Sequence, residues 1–371
     1  MVDSALNAKV KSLVDKQISD GRQIGVQVCA YKGGEMIVDT WAGTMGLDDH
    51  RPVQPDSLFC CFSAMKGVTA ILVHMLADRG IINYDALVTD YWPEFGKHGK
   101  ERVTVIDALS HRTGVYRHPT AEDFDVSDWE AGLRYVEDAV PSFTPGSKRG
   151  YQGMTFSWIV GGLIQKASGL HIREVLRDWL AKPLGLENEM YCGIPDGLEE
   201  RLTTIDIWDS SKFPYSPDSE FMKALPRTQE EWASVNTMKN RKACLPSNNG
   251  HFTARALAKA YGALANGGEI EGVRLVSPSR IEDMNRLVSE ETDVVTQSFG
   301  RYGLGFDLGG LENHKFGPRP TAFGHSGAGG SQGYADPDIG LGIGVTLNKM
   351  EMPRDRTIEI CELIRKELGY H

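Results

Sequence analysis

The segment from Ser57 to Arg79 reads SLFCCFSAMKGVTAILVHMLADR and contains Ser63-Ala64-Met65-Lys66. After Ser63, apolar side chains return every three or four residues, a spacing typical of a buried helix: Met65, Val68, Ile71, Leu72, Met75 and Leu76. Gly80 follows as a candidate C-cap. A serine in the first turn and a lysine three positions later share one helix face, so the segment predicts a hydroxyl and an amine within reach of each other.

The composition describes an ordinary globular chain of 371 residues, with 41% hydrophobic and 24% charged residues. This length is compatible with one large domain or with two. The net charge of −10 argues against nucleic-acid binding and against a basic membrane-surface patch. No apolar run is long enough to span a membrane, and the first residues lack the apolar core of a signal peptide.

The six cysteines are scattered and show no Cys-x-x-Cys spacing. They are Cys29, Cys60, Cys61, Cys192, Cys244 and Cys361. The pattern predicts neither a disulfide framework nor a metal site, and we expect no cofactor. Reduced thiols fit an intracellular compartment, so we expect a cytoplasmic protein.

Two β-rich runs, 25–31 and 35–41, flank Lys32-Gly33-Gly34 and predict a hairpin. Helical spacing recurs at the N-terminus and at 103–109, 154–167, 172–180, 252–265, 278–287 and 354–368, and strand-like runs at 302–308, 321–325, 333–335 and 341–347. Short strands so close in sequence favour an antiparallel sheet over a βαβ array. We predict an α+β fold in which 1–82 and 269–371 form a sheet domain flanked by helices and 83–268 form a mostly helical domain.

The helical spacing fades between Tyr191 and Pro246, where Asp, Glu, Ser and Pro are frequent. This segment nevertheless carries several large aromatic residues, among them Trp208, Phe213, Tyr215, Phe221 and Trp232. Exposed linkers rarely carry so many aromatic side chains. We therefore predict a folded lid or pocket wall at 191–246.

The pair Ser63 and Lys66 has two interpretations. A serine hydroxyl becomes a useful nucleophile only when a neighbouring group takes its proton. Lys66 does this if burial keeps it partly neutral, or it stays charged and lowers the pKa of a third group that acts as the base. The alternative is structural, a serine that caps the helix and a lysine that points into solvent.

Three further motifs follow the Ser-x-x-Lys segment. They are LSHRTG at 109–114, PGSKRGY at 145–151 and FGHSGAGG at 323–330. In this order the set resembles the serine β-lactamase and penicillin-binding-protein superfamily, on the side of the class C β-lactamases and family VIII esterases. The resemblance runs from about residue 25 to 347 and implies a β-lactamase/transpeptidase-like fold.

The resemblance implies a role for each motif. Ser63 would be the acylated nucleophile and Lys66 its activating group. Tyr151 holds the place of the family's tyrosine, which acts as a base and then as a proton donor to the leaving group. The backbone N–H groups of Ser63 and Ala328 would form the oxyanion hole. Whether Lys66 or Tyr151 takes the first proton stays open at this point.

The sequence departs from the family at two positions that would face substrate. His325-Ser326-Gly327 replaces Lys-Thr-Gly, which leaves less fixed positive charge and favours neutral esters. Gln152-Gly153 stands where an asparagine would contact substrate carbonyls. We expect Asn248 or Asn249 to supply that amide from another loop.

The leading function is hydrolysis of small carboxylic esters through an acyl-enzyme on Ser63. An acyltransferase that passes the acyl group to an alcohol is the alternative, followed by a β-lactamase, a D-amino peptidase and a non-catalytic binding module. Ser331 lies in Gly329-Gly-Ser-Gln-Gly333, which matches the α/β-hydrolase elbow, but a strand follows instead of the required helix. The expected partner is a small ester or acyl donor, and nothing indicates an oligomeric state.

Overall fold

A computed structural model describes residues 2–209, 211, 216, 218–226, 228–312, 314–351 and 355–370. The strands in this part of the chain are β1 Gly25–Lys32, β2 Glu35–Gly43, β3 Phe59–Cys60, β4 Met190–Cys192, β5 Gly250–Phe252, β6 Glu269–Ile270, β7 Val273–Arg274, β8 Ser289–Thr292, β9 Phe299–Tyr302, β10 Asp307–Leu308, β11 Phe323–Ser326, β12 Gln332–Asp336 and β13 Leu341–Leu347. The main sheet runs β2-β1-β13-β12-β11-β10-β9-β8 with antiparallel neighbours throughout. Two small sheets, β3-β5-β4 and β6-β7, complete the set seen in these residues.

The helices of the described residues surround this sheet and build the second part of the molecule. They are α1 Ser4–Ser19, α2 Ala64–Asp78, α3 Val105–Leu109, α4 Trp129–Asp138, α5 Phe156–Ser168, α6 Ile172–Val175, α7 Glu220–Ala224, α8 Gln229–Ala233, α9 Met238–Lys242, α10 Ala254–Ala265, α11 Pro278–Met284 and α12 Asp355–Glu367. A π-helical turn, Leu176–Ala181, continues α6. None of the helices that the structure describes is both long and apolar enough to cross a membrane.

The main sheet carries apolar side chains on both of its faces, and each face packs against helices. In β1, Val26 and Val28 join the cluster formed with α1 and α12. Cys29 and Tyr31, one position out of phase, join the larger core that holds α2, α5 and α10. A period of two along a strand sends neighbouring residues to opposite faces, so each face covers a different helical layer.

Helix α2 joins the two parts of the molecule. Apart from its ends it is completely buried, and it contacts α5 on one side and β11 on the other. Helix α10 packs along β1, β12 and β13. The predicted boundary at 268 assigns α10 to the helical domain, whereas its alanine-rich face lies directly on the sheet.

The α+β class with an antiparallel sheet is confirmed, and so is the hairpin at 25–41. The prediction that the helix after the 191–246 segment includes Phe252 is wrong, because this residue ends β5 and pairs with Phe59 and Met190. Sequence periodicity also did not indicate β8, whose residues Ser289–Thr292 are mostly polar. Phe213, Tyr215 and the predicted helix start at Arg354 lie outside the described residues.

Candidate active site

Ser63 stands at the start of α2, but its hydroxyl does not cap the helix. The residue before it, Phe62, has a φ of 45°, a left-handed conformation that a bulky side chain rarely adopts. Non-glycine residues are held in this region only where the surroundings fix them, and such residues cluster at functional sites. The helix-cap interpretation of Ser63 therefore loses its basis, because the hydroxyl has other partners.

Those partners are the two other predicted groups, Lys66 and Tyr151. The Tyr151 hydroxyl donates a hydrogen bond to Ser63 Oγ over 2.8 Å. Lys66 Nζ lies 3.3 Å from the same oxygen. Lys66 Nζ also lies 4.9 Å from the centre of the Tyr151 ring, so the three side chains form one contact group.

Lys66 is completely buried, and two carbonyl oxygens hold its amine. Nζ donates to Gly153 O over 2.7 Å and to Ser247 O over 3.1 Å. Burial lowers the pKa of Lys66 well below its ordinary value, with the nearby Arg149 adding to this and Asp307 opposing it. A neutral amine has two N–H groups and one lone pair. With both N–H groups on the two carbonyls, the lone pair of the neutral form would be available to Ser63 Oγ.

Tyr151 is held by the segment that follows α3. The backbone N–H of Gln152 donates to His111 Nδ1 over 3.2 Å, and Thr113 Oγ1 donates to Gln152 Oε1 over 2.6 Å. The His111 ring lies 5.0 Å from the Tyr151 ring. Burial lowers the pKa of His111 well below its ordinary value, consistent with a neutral ring that accepts this hydrogen bond. The LSHRTG motif thus fixes the loop that carries Tyr151.

The predicted oxyanion hole lies where β11 passes the start of α2. Neither the Ser63 N–H nor the Ala328 N–H donates to another group among the described residues. Gly327 is required for the close approach, since a Cβ there would clash with the carbonyl oxygen of Cys61. Arg356 of α12 donates to Gly329 O over 2.7 Å and so fixes the turn behind Ala328.

The charge near β11 is balanced. Burial lowers the pKa of His325 to about 3, so its ring is neutral at neutral pH. Burial alone would raise the pKa of Asp307, but the ion pair with Lys315 at 2.6 Å and the nearby Arg149 hold it below its ordinary value. Lys315 and Asp307 neutralise each other. The strand therefore offers a substrate little net charge.

The two asparagines that we expected to supply an amide differ in their surroundings. Asn249 Nδ2 donates to the backbone oxygens of Asn240 and Ala243, at 2.6 and 2.8 Å, so its amide is used within the fold. Asn248 lines the cleft, and its Nδ2 contacts the weak acceptor Met154 Sδ at 2.8 Å. Of the two, Asn248 keeps the better position for substrate contact.

Gly153 shows why the family's asparagine has no counterpart here. A Cβ on Gly153 would lie 2.5 Å from Ala224 O and 3.0 Å from Leu225 Cδ2. The C-terminal end of α7 therefore occupies the space that a side chain at 153 would need. Helix α7 is anchored by the hydrogen bond from the Tyr116 hydroxyl to Glu220 Oε2, at 2.5 Å.

These groups open into a cleft of about 1210 Å³. Its lining includes Ser63, Tyr151, His325, Ser326 and Ala328. Trp208, Phe221, Leu225 and Trp232 of the 191–246 segment also line the cleft, and we call this part of the lining the aromatic wall. The Ser63–Lys66–Tyr151 group at the base of the cleft is called the floor below.

Two other sequence features have structural explanations. Ser331 is buried in the turn between β11 and β12, where its Oγ accepts a hydrogen bond from Leu347 N over 3.2 Å. The described cysteines are free thiols, although Cys192 Sγ and Cys244 Sγ lie 3.9 Å apart, a proximity that their spacing did not indicate. No described group of three His, Cys, Asp or Glu side chains is arranged to hold a metal ion.

Comparison with known proteins identifies the family: residues 7–360 match the family described as Beta-lactamase, and the chain belongs to it. It is 32% identical over 369 residues to the esterase/beta-lactamase LipL of Mycobacterium tuberculosis (strain ATCC 25618 / H37Rv), covering 93% of this chain and 83% of that protein. A penicillin-binding protein homologue from Caulobacter crescentus has a TM-score of 0.88 at 31% identity, covering 99% and 98% of the two chains. A family VIII carboxylesterase has a TM-score of 0.83 at 32% identity, covering 98% and 99%. The resemblance drawn from the motifs is confirmed.

Proposed function

We propose that the protein hydrolyses neutral carboxylic esters through an acyl-enzyme on Ser63. The observation that carries this proposal is the position of Ser63 Oγ between the Tyr151 hydroxyl at 2.8 Å and Lys66 Nζ at 3.3 Å. The esterase names of the relatives, LipL and the family VIII carboxylesterase, support the same activity.

In the proposed first step, Ser63 Oγ attacks the ester carbonyl and its proton passes to the lone pair of Lys66. Lys66 fits this task because burial favours its neutral form and two carbonyls already hold its N–H groups. The negative oxygen of the tetrahedral intermediate would accept hydrogen bonds from the N–H groups of Ser63 and Ala328.

In the second step, Tyr151 gives its proton to the departing alkoxide, and the Lys66 ammonium returns a proton to the phenolate. The 4.9 Å between Lys66 Nζ and the centre of the Tyr151 ring places the two groups close enough for this relay. Water then attacks the acyl-enzyme by the reverse sequence and releases the acid. Every proton taken from Ser63 is thus accounted for in the released alcohol.

The preference for neutral substrates follows from the charges that line the cleft. His325 is neutral at neutral pH, and Lys315 is paired with Asp307. A carboxylate on the substrate would lose part of its hydration shell without gaining an unpaired cation at this strand. Apolar acyl or alcohol groups would instead bury surface against the aromatic wall.

The volume of the cleft also favours a second acceptor besides water. A site of about 1210 Å³ exceeds the common range for a single drug-sized ligand, about 300–1,000 Å³. An alcohol could therefore bind beside the acyl-enzyme and take the acyl group. Adding candidate alcohols during turnover and measuring the new ester against the free acid tests this alternative.

Intact-protein mass spectrometry with a p-nitrophenyl ester tests the main proposal. We expect a single acyl adduct on the wild type, no adduct on Ser63→Ala, and loss of nearly all turnover in that variant. Ser331→Ala is the matched control, because it removes a buried serine of the same chain that makes a hydrogen bond in a turn. Adduct formation on Ser63→Ala, or loss of the adduct only in Ser331→Ala, would contradict the assignment.

A further inference from the structure

A buried ion pair connects the loop that carries Tyr151 to the far edge of the main sheet. Arg149 Nη1 donates to Asp293 Oδ2. Asp293 is completely buried, and Arg149 is 4% exposed. Arg149 lies two residues before Tyr151, whereas Asp293 lies in the turn between β8 and β9. The pair therefore holds together segments that are 144 residues apart.

The other oxygen of the Asp293 carboxylate binds backbone. Asp293 Oδ1 accepts hydrogen bonds from the N–H groups of Tyr151 at 3.3 Å, Val295 at 2.8 Å and Thr296 at 2.8 Å. The backbone on the Arg149 side is tied as well, since Val294 N donates to Arg149 O over 3.0 Å. One carboxylate thus fixes the backbone of Tyr151 and the turn that supports it.

The Arg149 guanidinium fills the space between two tyrosine rings. Its central carbon lies 3.5 Å from the centre of the Tyr302 ring and 6.0 Å from that of Tyr151. A planar guanidinium stacks on an aromatic face and makes an ion pair at the same time, which a lysine ammonium does less well. Arg149 also borders the cleft, and its Nε has no hydrogen-bond partner among the described residues.

We propose that Arg149 and Asp293 are the positioning pair that aims the Tyr151 hydroxyl at the leaving oxygen of the substrate. The proposal rests on the ester hydrolysis proposed above. The Tyr151 hydroxyl must exchange its hydrogen bond with Ser63 Oγ for one with the leaving oxygen, and both oxygens must lie within hydrogen-bond distance of it. A displacement of about 1 Å costs on the order of 10²-fold in rate, so the backbone of Tyr151 needs a fixed support.

The pair adds little net charge beside Tyr151, which is briefly negative after it gives up its proton. The charged or titratable groups around it come from several elements: Lys66 of α2, His111 after α3, Arg149 of its own loop, Asp293 before β9, Asp307 of β10 and His325 of β11. Among these the Arg149 guanidinium keeps its charge through every proton transfer. Its charge is paired with Asp293, however, so the Lys66 ammonium, 4.9 Å from the centre of the Tyr151 ring, is the charge that stabilises the phenolate until it returns a proton.

The dependence on the leaving group separates this role from a purely structural one. A p-nitrophenolate leaves without a proton, whereas an alkoxide needs the proton of Tyr151. Two esters with the same acyl group, one p-nitrophenyl and one ethyl, therefore report on nucleophilic attack and on leaving-group protonation separately. The ratio of their kcat/KM values cancels a general loss of folded protein.

The experiment compares Arg149→Met and Arg149→Lys with the wild type on both esters. We expect Arg149→Met to lose on the order of 10²-fold in kcat/KM for the ethyl ester. For the p-nitrophenyl ester we expect a loss of only about tenfold. Arg149→Lys keeps the charge but not the planar stacking, so it should recover part of the loss. If Arg149→Met does not fold, Asp293→Asn takes its place and should show the same preference.

Arg319→Met is the matched control, because Arg319 also pairs with a completely buried aspartate of the main sheet, Asp336 of β12, and does not border the cleft. It should change both esters equally. Equal losses on both esters for Arg149→Met, or a preference of the same size in Arg319→Met, would overturn the positioning role while leaving Ser63 acylation intact. A wild type that forms no Ser63 adduct would overturn both proposals together.

Discussion

The floor of the cleft and its aromatic wall hold their side chains in place by different interactions. The floor consists of polar groups joined by directional hydrogen bonds, with Lys66 held by the carbonyls of Gly153 and Ser247. The wall consists of large apolar side chains on or beside the short helices α7 and α8 and of Trp208 in an irregular segment, and Leu225 comes close to residue 153 because Gly153 has no side chain. A small displacement therefore disturbs the floor strongly and the wall weakly.

This difference suggests a division of roles, in which the floor determines the reaction rate and the wall determines which ester is preferred. Proton transfer depends on distances that change steeply with displacement. Ser63 and Lys66 accordingly stand at the start of the long, buried helix α2, and Tyr151 stands on a loop that His111 and Thr113 hold. Apolar contact is broad and non-directional, so the wall tolerates short helices such as α7 and α8. Changes in the floor should alter rate, and changes in the wall should alter which ester is preferred.

The strongest test of the floor is Lys66→Met. We expect the rate of Ser63 acylation to fall by about 10²- to 10⁴-fold, because the variant keeps the length of the side chain but removes the base. Stability should fall by about 1–3 kcal/mol, since the variant leaves the buried carbonyls of Gly153 and Ser247 without their N–H donor. Rapid-quench mass spectrometry of acylation and urea unfolding measure the two effects.

Lys100→Met is the control for that experiment. Lys100 is also completely buried, and its ammonium donates to the carbonyls of Glu137 and Ala139 at the end of α4. Removing it should lower stability by about 1–3 kcal/mol and leave the acylation rate unchanged within about twofold. Comparable rate losses in both variants would mean that Lys66 acts through the fold and not as a base.

A second test concerns His325, which faces the floor as a neutral ring. Its pKa in the folded protein is about 3, below the unfolded value of about 6.5. Between these values the unfolded chain binds the proton that the folded protein rejects, so stability falls as the pH decreases from about 6.5 towards 3. At pH 5 this group alone should cost about 2 kcal/mol relative to pH 8.

His325→Gln should therefore flatten the dependence of unfolding free energy on pH, measured by urea unfolding at pH 8 and pH 5. His50 is exposed, so His50→Gln serves as the control and should retain the wild-type slope. An unchanged slope in His325→Gln would show that the ring is protonated in the folded protein. The proposed preference for neutral esters would then lose its support.

The smallest expected effect comes from the contact between floor and wall. Gly153→Ala places a methyl group against Ala224 O and Leu225, so α7 must move outward. We expect kcat/KM for a bulky aromatic ester to fall about fivefold to tenfold, with a smaller change for an acetyl ester that does not reach the wall. Equal losses for the two esters would mean that the floor itself has moved.

Local sequence patterns predicted much of the fold and the floor. The spacing after Ser63 located α2, and alternation around Lys32-Gly33-Gly34 located the β1–β2 hairpin. Both depend on neighbours a few residues apart, which periodicity reports directly. Tyr151 was located by the order of the family motifs, and its contact with Ser63 Oγ agrees with that prediction.

The remaining features depend on contacts that leave no local pattern. Arg149 and Asp293 are 144 residues apart, and each alone resembles any charged residue of a loop. The space beside Gly153 is filled by Ala224, a residue of a five-residue helix that has no marked periodicity. In the sequence, Gly153 in place of the expected asparagine indicated only that an amide is missing. The structure shows in addition that the backbone of Ala224 lies close to this glycine.

The pairing of β1 with β13 has a consequence for the synthesis of the protein. Val26 lies opposite Leu347, so a strand made early on the ribosome waits for one made more than three hundred residues later. The turn behind Ala328 waits longer still, because Arg356 of α12 holds it. A nascent chain thus carries Ser63 and Lys66 long before it carries Ala328, the second donor of the predicted oxyanion hole. We expect the proposed esterase activity to require synthesis through α12.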